Sequence, residues 1–128
     1  MKPLSILTAI GLIVATNTAQ PETQQLAARG AGLSTCAVFA NMYRMDPPFA
    51  EGQFFTWTQG FLSGQNSVWI NTKQPFRDMG SLSTERQMAF LRSYCDQHPL
   101  AYFMAAVWTL AEELKMLPPV RSPQDNRP

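Results

Sequence analysis

This sequence holds little of what most active sites are built from. Among 128 residues there is one His and there are two Cys. A single imidazole excludes multi-histidine metal centres and leaves nucleophile–His–acid catalysis one possible base. Charged residues are 15% of the chain, against roughly 25% in an average soluble domain. No basic block stands out, and Lys+Arg number 10 against 9 Asp+Glu. A surface that tracks nucleic-acid phosphates is therefore not expected. No glycine-rich phosphate loop occurs, because Gly60 and Gly64 lack a following Lys-Ser/Thr pair. Strand-like alternation bounded by hairpin turns is missing as well. What remains is a chain 45% hydrophobic and 11% aromatic, too apolar to be disordered as a whole. Its length suits one domain.

The first segment bears on compartment. Met1-Lys2-Pro3 gives a short positive start, and Leu4 to Val14 is an apolar run. Small and polar residues follow from Ala15 to Ala19. That order predicts a secretory signal peptide over residues 1–19, cleaved after Ala19 or after Ala15. The competing reading is an uncleaved N-terminal anchor, although the run is short of the about 20 apolar residues a membrane helix needs. Export to a bacterial periplasm, or secretion, gives the cysteines a meaning. Cys36 and Cys95 are expected to form one disulfide. A closure of that length stabilises by about 4 kcal/mol in the chain-entropy view. A metal site of Cys36, Cys95 and His98, through the spacing Cys95-Asp96-Gln97-His98, is the alternative.

The apolar pattern predicts an all-α fold, a small four-helix domain over residues 33–117 with one inter-helix disulfide. Residues 20–32 read as a flexible polar lead-in and 118–128 as a disordered proline-rich tail. Helix one is expected from Ser34 to Met45, with Cys36, Phe39, Ala40 and Tyr43 on one face. Asp46 caps helix two with Pro47 at its first position. Helix two is expected from Phe49 to Asn71, its apolar arc carrying Phe54, Trp57, Phe61 and Val68 beside Phe55, Leu62 and Trp69. Gly60, Gly64 and Ser67 lie along one line of it. Interior glycine costs about 1 kcal/mol relative to Ala, so close approach of another helix, or a groove for a partner, is expected there. Asn71 to Leu82 reads as a long loop with Phe76 and Met79 stranded in it. Helix three is expected from Thr84 to Gln97, capped by Ser83. Helix four is expected from Pro99 to Leu117, stopped by Pro118-Pro119.

Thr35-Cys36-Ala37-Val38-Phe39, a middle aromatic helix, and Tyr94-Cys95 just before a C-terminal helix together resemble the HdeA/HdeB family of acid-stress chaperones. Gly60-Phe61-Leu62-Ser63-Gly64 and His98-Pro99 before an Ala-rich helix are also similar to the Tai-type immunity proteins, which block secreted amidase effectors. The likeness covers about residues 33–117. It implies a small exported helical protein with one disulfide that acts on other proteins. From Gly30 to Leu117 there are seven acidic and six basic residues, so the charge swing open to an acid switch is small.

Catalysis is not expected, and no cofactor or metal is implied. A Ser–His–Asp set could be drawn from His98, Asp96 and Ser93 or Ser63. Yet Gly60–Gly64 lies in a helical pattern and is no Gly-x-Ser-x-Gly elbow. Adjacent Glu112 and Glu113 point to different faces and read as solvated. Protein binding is the expected class, by a protein partner or by self-association as a homodimer, with Phe49, Gly60, Gly64, Phe76 and Met79 as candidate contact residues.

Overall fold

The structure, a computed structural model, describes residues 29–120. The expected signal peptide, most of the lead-in and the tail from residue 121 lie outside the described residues. The element order is a 3-10 turn Gly30–Leu33, α1 (Cys36–Met45), α2 (Pro47–Asn71), β1 (Phe76–Arg77), α3 (Thr84–Gln97), α4 (Phe103–Glu113) and β2 (Met116–Leu117). The fold class is the expected one: four helices, and a disulfide joining Cys36 of α1 to Cys95 of α3.

Local chemistry sets most boundaries. Thr35 caps α1, accepting from the Val38 amide at 3.4 Å. Asp46 caps α2 through the Phe49 amide at 3.1 Å, with Pro47 at the first position. Ser83 caps α3, accepting from the Arg86 amide. Each cap satisfies an amide that has no carbonyl in the preceding turn. At the end of α2, Lys73 takes a left-handed conformation (φ 55°). The Gln74 amide then reaches back to the Trp69 carbonyl at 2.7 Å, closing the helix as glycine more often does.

Helix four is shorter at both ends than the apolar spacing predicts. It starts at Phe103 because the backbone before it is already committed. The Cys36 amide donates to the Ala101 carbonyl at 2.8 Å, and the Ala37 amide to the Pro99 carbonyl at 2.9 Å. The Phe103 amide in turn donates to Ser34 at 2.8 Å, flanking a Thr35–Tyr102 bridge. The Pro99–Tyr102 strap thus caps α1 with backbone carbonyls. At the other end, Met116 and Leu117 leave the helix to pair antiparallel with Arg77 and Phe76. The long loop therefore contains a strand. Asn66 of α2 holds its other edge: the side-chain amide donates to the Arg77 carbonyl at 2.8 Å and accepts from the Arg77 amide at 2.9 Å.

Three rings from three helices centre the core. Phe39 (α1), Phe54 (α2) and Phe103 (α4) sit with centroids 4.8–5.0 Å apart in tilted or edge-on pairs. The disulfide, Leu62, Leu91, Val107 and Leu110 surround them, all buried. Buried Gln87 pins the loop to this core. Its Nε2 donates to the Met79 and Leu82 carbonyls, both at 2.9 Å, and its Oε1 accepts from Gln59 Nε2 at 3.0 Å. Arg92 ties α3 to α1 and α2, donating to the Tyr43 hydroxyl and pairing with Glu51 at 3.3 Å.

The ordered domain begins before residue 33. Gly30 to Gly32, assigned by composition to the flexible lead-in, form part of the 3-10 turn packed on α2 and α4. Trp57 Nε1 donates to the Arg29 carbonyl at 2.9 Å. Gly30 has a positive φ of 80°, and Gly32 lies so close to the indole that a Cβ there would stand 2.2 Å from two ring carbons. The chain can pass only because Gly32 has no side chain.

Candidate functional site

The candidate contact residues divide into two groups. Gly60 and Gly64 lie on the outer side of α2, both exposed. A Cβ built on either meets nothing within 4 Å among the described residues. Among the described residues no other helix packs closely there, which corrects the expected close approach of a second helix. Val68, expected within the apolar arc, continues the same outer line and is 58% exposed. Gly52, Thr56, Gly60, Gly64 and Val68 recur every four residues, and all are exposed. Such a row forms one ridge of a helix. From Gly52 to Asn71 the helix carries no charged residue at all.

The loop residues flank the same half of α2. Met79 tucks back onto the core, half-buried, and its sulfur accepts from the Ser63 hydroxyl at 3.7 Å. Phe76 is half-buried in β1, paired with Leu117. Neither stands free as a surface knob. Phe49 is set apart. It lies at the first turn of α2, 52% exposed, and eleven residues from Gly60, or about 16 Å along the axis at 1.5 Å per residue. Beside it Met45 is 77% exposed. The five residues therefore do not gather at one place: three lie along α2, one in β1 and one in the loop that follows it.

A second apolar surface escaped the sequence pattern. Leu100 is 90% and Tyr102 60% exposed, on the strap that caps α1. Helical spacing over 99–117 assigned these residues to a helix. Their true role as an extended strap depends on pairing with Ser34–Ala37, which local pattern does not report.

Among the described residues, no hydrogen bond joins the residues of the catalytic alternative. His98 is exposed, stacks on Tyr94 at 4.3 Å, and has Nδ1 2.9 Å from the Tyr94 carbonyl. Ser93 Oγ accepts from Gln97 Nε2, and Ser63 turns to Met79. Neither serine is bonded to the imidazole among the described residues. The alternative metal reading loses its thiolates, because Cys36 and Cys95 are bonded to each other. Glu112 and Glu113 are both exposed, as a solvated face requires. Among the described residues no helix is long and apolar enough to cross a membrane. Comparison with known proteins gives no match: no family model fits the chain, and neither a curated protein nor a solved structure is similar enough to it to place it in a family.

Proposed function

We propose that this chain is an exported protein-binding domain that works without catalysis, in the manner of a periplasmic chaperone or structural binder, and that the outer face of α2 is where it meets its partner. One observation carries this reading. Gly60 and Gly64 cost the helix about 1 kcal/mol each relative to Ala, and nothing among the described residues requires them. A close approach from outside would. Small residues four apart let a second backbone come near, and an uncharged face needs no desolvation of ions when it is covered. The disulfide supports the export half of the reading, since such bonds persist in oxidising compartments. The immunity alternative would use the same face against a secreted effector.

The test uses the full chain and a Gly60→Leu, Gly64→Leu double variant. Self-association is read by light scattering, and client protection by an aggregation assay across pH. The wild type should dimerise or protect, and the variant should lose that behaviour with its circular dichroism melt no lower. A strict monomer at every pH, with no client protected, overturns the chaperone reading. Recovery of one secreted effector, released by the double variant, would move the assignment to an immunity protein.

A further inference from the structure

A cleft of about 360 Å³ opens between α1 and α3, away from the outer face of α2. That is near the low end of small-molecule pockets, which run from roughly 300 to 1,000 Å³. Its lining divides by chemistry. Ala40 and Tyr43 give an apolar and aromatic wall, with the buried Phe39 ring behind them. Arg44, Arg92 and Asp96 give two cations and one anion.

Arg92 is held in place before anything binds. Its Nη1 is committed to Tyr43 and Glu51, and its guanidinium lies 4.7 Å from the Tyr43 ring centroid. Nε and Nη2 have no acceptor among the described residues. A fixed guanidinium with an open edge is a receptor for a carboxylate, with little ordering left to offset. Arg44, one residue after Tyr43, has neither ion pair nor hydrogen bond among the described residues.

Asp96 is the unexpected member. It stands four residues after Arg92, yet Arg92 pairs across the helices with Glu51 instead. The order Arg before Asp is the poorer one for a pair along a helix. Asp96 also lies in the last turn of α3, where the helix dipole disfavours an anion. No partner among the described residues offsets this. A cation supplied from outside would.

We propose that this cleft binds a free α-amino acid with an apolar or aromatic side chain. The carboxylate docks on Arg92 and Arg44, the ammonium on Asp96, and the side chain against Ala40 and Tyr43. Arg92 and Asp96 are close neighbours on one helix face, which suits two opposite charges carried on adjoining atoms. A peptide end supplies only one of them. The site stands apart from the α2 face and does not depend on it.

L-phenylalanine is the probe, titrated into the full chain by calorimetry and by NMR, with phenylacetate and phenethylamine as partial ligands. L-phenylalanine should saturate at millimolar concentrations or below, perturb Tyr43 and Arg92, and outbind both partial ligands. Arg44→Ala and Asp96→Asn each remove one charge-assisted contact and should weaken it about tenfold. Asp96→Asn should leave phenylacetate binding unchanged or tighter. Both residues are exposed and make no ion pair among the described residues, so the variants should fold as the parent does, checked by their melts. No saturable binding of L-phenylalanine to the folded chain overturns the proposal. So does equal binding by parent and both variants, or binding by phenylacetate as tight as by the amino acid.

Discussion

Two pairs of glycines meet opposite conditions in this molecule. Gly30 and Gly32 precede α1 and press on the indole of Trp57, one with a positive φ and one with no room for a Cβ. Gly60 and Gly64 lie mid-helix, with open space where a side chain would stand. The first pair is required by the fold. The second weakens the fold and is explained by nothing among the described residues. Glycine therefore marks close approach in both regions, from inside the chain in one and, in our reading, from outside in the other.

The largest perturbation should come from the rings beneath the first pair. Trp57 leans edge-on against Phe103, at 6.5 Å between centroids. Phe103→Ala should cost about 3–5 kcal/mol, read by urea unfolding, and should shift Trp57 fluorescence. Unchanged stability would mean that the three-ring centre does not hold the turn. Next is the disulfide. A Cys36→Ser, Cys95→Ser variant should lose about 2–4 kcal/mol, and reductant should have no further effect on it. Loss of the bond frees α3 from α1, so amide exchange should rise in the Pro99–Tyr102 strap as well.

The comparison itself is tested by alanine at each pair. Gly32→Ala should destabilise by about 1–3 kcal/mol, because Trp57 must leave its stack on Phe61 or its bond to Arg29. Gly60→Ala and Gly64→Ala should each stabilise the isolated chain by about 0.5–1 kcal/mol. Thermal melts of the three variants give the answer, and the same sign at both pairs would erase the distinction. The smallest effect belongs to Glu85 in the first turn of α3. Its own backbone amide, then Ser83, hold its carboxyl below the ordinary carboxylate value. Its contribution is present above the unfolded value and is lost as pH falls through the lower, folded one. Glu85→Gln should lower stability slightly at neutral pH, and the difference from the parent should vanish as pH falls below the folded value, read by melts across pH.

Much of this was legible in the residues. Asp46-Pro47, Ser83 and Thr35 are local caps, and a cap acts within four residues of itself. Helix three, from Thr84 to Gln97, follows from its cap and spacing alone. Helix four is shorter than its apolar spacing because both of its ends are decided by distant backbone: Ser34–Ala37 for Pro99–Tyr102, and Phe76–Arg77 for Met116–Leu117. The candidate face was half legible. The line of Gly60, Gly64 and Ser67 can be counted on a helix, but whether it faces a neighbour or solvent cannot. Met79 and Phe76 were visible as stranded apolar residues, though not as half-buried ones held by Gln87 and Asn66.

By itself, then, the order of residues determined the helical class, the caps, the apolar stripes and the pairing of the only two cysteines. These follow from interactions that reach one or two turns, or from a count of two thiols. Only the tertiary structure decided which face of α2 is bare, why Gly32 must be glycine, and how Arg92 passes over Asp96 to reach Glu51. Those outcomes depend on which surfaces meet across long stretches of chain, and periodicity says that a face is apolar or small without saying what lies against it.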